Sequence, residues 1–359
     1  ETRLEISLLI DGVVIEVLER TAETGSLGSG LPEFELSVGS EASDPGLLLL
    51  PVMGGHSGVG IVDTAGVLTW WLEDTDPEML VNRARLSRDG ASILYSSYNI
   101  SVADAGDEDR AWIHRVGLDG TRQESIAVQG MSHDFVELPD GGVAWIAADW
   151  RKLDGQWVRG NRVMERDPSG VLREVTSVWD HLDVDIDQVD QATGWTHANA
   201  LDYLPEEDAY LLGLRNLHTV LWIERSTGEM RWSFGGAQSD FAFLGSGQLP
   251  YHPHQFEWLG DGILLFDNRS SDERATRVVE YALDLETMES QERWSYSPEA
   301  PIYCYALGDV SRLDSGRTMV TWSVLGAVEH VDSDGVLAWQ LQSGLGTAVG
   351  YTEWLAPPD

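Results

Sequence analysis

The chain of 359 residues holds one cysteine, Cys304, so neither an intrachain disulfide nor a cysteine-based zinc site can form. Basic residues are scarce. Lys and Arg together number 23 against 60 Asp and Glu, which sets the net charge at −37. That balance excludes a phosphate-tracking nucleic-acid surface, whose affinity depends on positive charge. It fits a solvated acidic surface, with electrostatic capture of a cationic partner as the alternative. No apolar run approaches the roughly 20 residues that span a bilayer. No signal-peptide pattern is visible, but Glu1 reads as a processed or trimmed start, so export stays open. The HExxH helix is missing as well.

What is present is β-structure. Residues 1–45 alternate apolar and polar positions (Leu4, Ile6, Leu8, Ile10, then Val13, Ile15, Val17), break at Gly25 to Gly30, and resume over Phe34 to Val38. This pattern predicts a small, sandwich-like antiparallel β unit. Residues 46–359 repeat a two-part unit. One half is a strand, a Leu, an acidic Gly turn and a second strand, anchored at Leu86, Leu138, Leu204, Leu259 and Leu313. The other half is a strand, an Asp or Glu turn, and a strand often bearing Trp, as in Asp63 to Trp71, Asp167 to Trp179, Glu224 to Trp232, Asp284 to Trp294 and Asp332 to Trp339. Leu118-Asp119-Gly120 supplies the remaining copy. Four strands recurring roughly every 50 residues, six times, predict an all-β, six-bladed β-propeller; a β-sandwich does not account for six copies. The 15 Trp suit packing between blades. The first inner hairpin is expected within Gly46 to Gly60, and the last inner strand is expected to begin at Tyr303-Cys304-Tyr305.

In a propeller the innermost strands begin around a central channel, and the loops between second and third strands open on the same face. His133, Asn199 and His254 each lie five residues before an anchor leucine, and His197 precedes Asn199 by two, on the same side of its strand. Three successive blades therefore bring imidazoles to one channel mouth. The second-to-third-strand loops add Tyr98, Arg215, His218, Asn268 and Arg274. Arg215 and His218 end the strand that pairs with the one His197 begins, so the four polar groups of that hairpin converge. Arg274, on a loop before its strand, is the preferred anion clamp; Arg277 pairs with Glu280 or Asp272. His252 is read as flanking Pro253, and His114, His181 and His330 as surface residues. His56 can join the ring from the first blade. Imidazoles and guanidinium suit a sulfuryl or phosphoryl group. Asp183, Asp185 and Asp187, with Asp190, offer alternate carboxylates for Ca²⁺ but lack the EF-hand glycine and terminal Glu.

At these residues the chain resembles the bacterial aryl-sulfate sulfotransferase family. The similar stretches are Ser132-His133-Asp134, Trp195-Thr196-His197-Ala198-Asn199, Leu214-Arg215, His254, and Phe266-Asp267-Asn268 followed by an Arg and Val278-Val279-Glu280-Tyr281. The resemblance implies a six-bladed propeller of the periplasm or cell surface that moves a sulfuryl group between phenols without a nucleotide donor or other cofactor. It implies a covalent sulfuryl-histidine, with two further histidines and an arginine holding the anion. By motif, His197 and His254 match the supporting histidines and Arg274 the arginine. The family's nucleophile comes from the last blade, where this chain reads Thr321-Trp322-Ser323-Val324-Leu325, without histidine. Either His133 or His218 takes that role, or the chemistry differs. One alternative is a metalloenzyme using His133, His197 and His254, with or without His56, to bind Cu, Fe or Zn. The other is a propeller that only binds a small aromatic or anionic ligand.

Overall fold

The computed structural model describes residues 2–10, 13–22, 30–39, 44–54, 57–76, 78–99, 110–185, 189–190, 193–269, 274–344 and 347–356. Two compact units divide at Leu31/Pro32. In the first, Thr2–Ile10 pairs antiparallel with Val13–Ala22, with a bulge between Leu8 and Leu9.

The second unit is the all-β, six-bladed propeller. Blade 2 runs from the axis outward as Ala84–Leu86, Ser92–Tyr98, Ala111–Gly117 and Arg122–Ala127. Blade 3 is Met131–Glu137, Val143–Leu153, Gln156–Arg166 and Leu172–Ser177. Blade 4 is Ala198–Leu204, Ala209–Leu214, Thr219–Glu224 and Met230–Gly235. Blade 5 is Pro253–Trp258, Gly262–Asp267, Arg277–Asp284 and Glu289–Tyr296, with Ala242–Leu244 added in parallel at its outer edge. Blade 6 is Asp309–Arg312, Thr318–Trp322, Ala327–Val331 and Leu337–Ser343.

The ring closes where the sequence pattern was weakest. Leu47–Met53 is not part of an inner hairpin: it is the second strand of blade 1, followed outward by Gly58–Asp63 and Leu68–Glu73. The inner position is filled from the C-terminal end, by Ala348–Val349 and Glu353–Leu355 pairing with Leu47–Met53. No local repeat can announce a strand borrowed from 300 residues away. Phe34–Val38, expected within the N-terminal unit, pairs with Leu337–Ser343 as a fifth strand of blade 6. The last inner strand starts at Asp309, because Gly308 has φ +107° and no room for a side chain against Phe266.

Side chains explain the repeat. Asp63, Asp167 and Asp332 each accept turn N–H groups two to four residues on, for example from Val67, Val171 and Val336, which fixes the acidic turn between third and outer strands. Outer-strand tryptophans reach across to the next blade's turn: Trp70 donates to the Leu118 carbonyl, Trp294 to Ser333 and Trp339 to Thr64, each at 2.9 Å. The recurrent Trp is thus both apolar filler and an interblade hydrogen bond. Three histidines expected on the surface are packed instead. His330 is fully buried between Trp339 and Trp354, and His114 is buried against Tyr95 and Ser125. His181 is half-buried, bonded to Thr176 and Gly228.

Candidate active site

The inner strands of blades 3, 4 and 5 all begin with a break in register: between Met131 and Phe135, between Ala198 and Ala200, and between Pro253 and Phe256. Such bulges re-aim side chains that regular alternation would send into the blade. The backbone there is also strained. Of nine non-glycine residues with positive φ among the described residues, four are His133 (64°), His197 (45°), His218 (58°) and His252 (53°). Left-handed conformations at such residues cost on the order of 1–3 kcal/mol each and gather at functional sites.

The result is a cluster of imidazoles. The His133 and His197 rings meet edge-on with centroids 4.8 Å apart, and His254 lies 6.4 Å from His133. The hairpin of blade 4 closes as its sequence suggested: Arg215 N–H donates to the His197 carbonyl at 3.2 Å and Asn216 N–H to that of Thr196. Burial and the Arg215 guanidinium both disfavour imidazolium here. Burial pushes His133 down to about 4; the charge of Asp134 opposes it, and Arg215 adds a smaller push downward. Burial, then its histidine neighbours and Arg215, hold His197 and His254 well below the ordinary histidine range. The rings are neutral at pH 7.

Their partners differ. His254 is committed at both nitrogens. Leu307 N–H donates to Nε2 at 3.2 Å, which leaves Nδ1 as the N–H that meets the Tyr351 hydroxyl at 3.2 Å; that hydroxyl in turn donates to the Asn199 carbonyl. By contrast the buried Nδ1 atoms of His133 and His197, and Oδ1 of buried Asn199, have no hydrogen-bond partner. Unpaired buried polar atoms are costly, so the two imidazole nitrogens, on rings in edge contact, mark a place that a ligand or water completes, whereas Asn199 Oδ1 faces Gly213 between strands.

The other expected residues fall into different places. Tyr98 is buried and accepts the His133 backbone N–H at 3.2 Å, holding that turn from below. Asn199 donates to the Pro253 carbonyl, tying blade 4 to blade 5. Asn268 is buried and donates to the carbonyls of Cys304 and Leu307, so it positions the loop that orients His254. His218 stacks on Tyr251 with centroids 4.1 Å apart, and its Nδ1 accepts the His252 N–H at 3.0 Å. Arg274 is exposed and donates to Gln248, whereas the arginine charge that acts on all three clustered rings is Arg215. Arg277 pairs with Asp267 and Glu292, not Glu280; Asp272 lies outside the described residues. Sequence reading passed over Tyr251, Tyr351, Leu307 and Arg159, and gave His252 only a flanking role. Arg159 adds its charge at His197 and bonds the Thr193 carbonyl. Only the fold places these residues, since none belongs to a repeat position.

His56 and Asp187 lie outside the described residues. Asp183 and Asp185 are exposed, and among the described residues no group of three or more His, Cys, Asp or Glu side chains is arranged to hold a metal ion. No described helix is long and apolar enough to cross a membrane.

Fold and mouth together define a propeller whose axial end carries neutral histidines beside an arginine. The arylsulfotransferase (ASST) family model matches residues 44–338, and the chain belongs to that family. No curated protein matches it. Among solved structures it is similar to a protein of unknown function from Bacteroides caccae, at 14% identity and TM-score 0.55 over 87% of this chain and 100% of that one. It is similar also to a functionally unknown protein from Desulfotomaculum acetoxidans, at 11% identity and TM-score 0.47 over 96% and 93%. A third is virginiamycin B lyase from Staphylococcus aureus, at 11% and 0.43 over 75% and 72%. The first likeness shows the fold alone.

Proposed function

We propose that this chain transfers a sulfuryl group between phenolic oxygens at the His133–His197–Arg215 cluster, with His133 as the nucleophile. The reading rests on one observation: two neutral rings in edge contact, each with an unpaired buried nitrogen, beside the Arg215 guanidinium. Family membership supports the reaction class, and with it a periplasmic or cell-surface location. The last blade offers no histidine at the mouth: its Ser323–Leu325 turn stands where the family's nucleophile belongs, and its His330 is packed in the core between Trp339 and Trp354. His133 is central among the three rings, whereas His254 has both nitrogens engaged and His218 already accepts at Nδ1.

In the first step a lone pair of the His133 ring attacks sulfur, the sulfur–oxygen bond to the donor phenol breaks, and the phenolate leaves and takes a proton from solvent. In the second, an acceptor phenol attacks the same sulfur, the nitrogen–sulfur bond breaks, and the phenol proton passes to His197 and then to solvent. Arg215 and the neighbouring imidazole hold the sulfuryl oxygens throughout. A neutral imidazole suits the first step, because imidazolium has no lone pair to give.

Rapid mixing with 4-nitrophenyl sulfate tests this directly. The expected result is a burst of nitrophenol and an acid-labile sulfuryl label mapped to the His133 peptide, both lost in His133→Ala. A label on His197 that survives in His133→Ala would exchange the two roles. Release of nitrophenol with no protein label under any quench would falsify covalent transfer.

A further inference from the structure

We propose that the projecting hairpin of blade 3 is a substrate arm that seats the aromatic ring and the anionic group of an incoming aryl sulfate. The proposal rests on the sulfuryl-transfer reading for its substrate class. Strands Val143–Leu153 and Gln156–Arg166 have 11 residues each, where the matching strands of blade 4 have six. The extra length forms a ribbon that stands above the rest of its blade. Trp150 pairs with Arg159 and Lys152 with Trp157, so alternation puts all four side chains on one face of the ribbon.

That face is turned toward the site. At its base Arg159 bonds the Thr193 carbonyl and accepts the Trp195 N–H through its own carbonyl at 2.8 Å, on the segment that leads into His197. Trp157 is two residues further along the ribbon, about 7 Å at strand spacing. Both tryptophans are open to solvent, Trp157 at 62% and Trp150 at 38%, although nearly all others of the chain are packed or half-packed. The opposite face of the ribbon is occupied: Arg151 lies over Trp179 and pairs with Asp180, and Val158 is buried.

Lys152 completes the set. It is the only lysine in a chain of net charge −37, it is exposed, and it has no ion-pair or hydrogen-bond partner among the described residues. Two exposed indoles flanking a lone cation match a flat ring that carries a negative group. A cationic or aliphatic ligand would use only half of them. The ring stacks on the indoles while Lys152, and Arg159 below it, draw the anion toward the mouth.

Isothermal titration with 4-nitrophenyl sulfate and with methyl sulfate separates ring from anion. The Trp150→Ala/Trp157→Ala variant is expected to weaken 4-nitrophenyl sulfate binding about tenfold and methyl sulfate less than about twofold. Lys152→Gln is expected to weaken both by about threefold. Trp157→Phe restores most of what Trp157→Ala loses, and in turnover the loss falls on KM. Unchanged aryl sulfate affinity in the double variant, an equal loss for methyl sulfate, or no aryl sulfate binding by the parent each overturns the arm. Binding that depends on the tryptophans, in a parent that turns nothing over, supports the arm and removes the transfer reading instead.

Discussion

The histidine mouth and the charged layer beside it on the propeller axis are both polar, but they solve the problem of buried polarity in opposite ways. Next to the histidines, at the starts of the inner strands of blades 2, 3 and 6, the charges answer one another. Arg83 bridges Asp134 and Asp309, each at 3.2 Å, and Asp134 also accepts the Leu201 N–H and the Gln255 amide. A cavity of about 340 Å³ beyond them is lined by Arg83 and Asp309 with Arg85, Asp202, Glu257 and Glu353. Burial nonetheless raises two carboxyls, Glu257 to about 7 against the N–H and charge of Arg312, and Asp309 to about 6 despite its bridge to Arg83. At the histidine mouth the same burial meets unpaired nitrogens and a like charge from Arg215. Satisfied polarity stitches inner strands together, and unsatisfied polarity awaits a ligand.

The contrast can be broken from either side. Arg83→Met should be the most damaging change, because it leaves Asp309 buried without its cation and Asp134 with only Arg85 at 3.6 Å. A loss of about 3–5 kcal/mol in urea unfolding is expected, and a shift below about 1 kcal/mol would place the bridge on the periphery of stability. Arg215→Gln, by contrast, should leave unfolding nearly unchanged and lower kcat/KM for 4-nitrophenyl sulfate by about 10²-fold. The pH profile sharpens the same point. His133, lowered to about 4, keeps its lone pair as pH falls from 7 until that region, so the acid limb of the first step should lie near 4. An ordinary imidazole would place it near ~6.5. Arg215→Gln removes a repelling charge and should move the limb upward; a limb unmoved by that change would detach Arg215 from the ring. The smallest effect is expected at Arg274→Ala. Its exposed guanidinium bonds Gln248, and kcat/KM should change by less than about twofold.

The repeat was legible because its physics is local. Each Asp that caps a turn lies within four residues of the N–H groups it accepts, and each outer-strand Trp recurs at one place in its blade. His133, His197 and His254 were legible as a register: one strand start in three consecutive blades. What the register could not convey is which nitrogens are free. His254 is engaged only because Leu307, from the loop before blade 6, and Tyr351, from the closing C-terminal segment, both reach it. Arg274 looked better placed than Arg215 on loop position alone, yet it is Arg215 whose charge bears on the rings.

By itself, then, the sequence determined the sixfold repeat, the acidic turns, the tryptophan seams and the register of three histidines, because periodicity and short-range hydrogen bonding follow from neighbours along the chain. Only the tertiary structure decided that residues 348–355 complete blade 1, that His330 is core, and that His133 and His197 keep unpaired nitrogens beside Arg215. Those outcomes depend on partners from other blades, and the desolvation that tunes an imidazole exists only once the blades have closed around it.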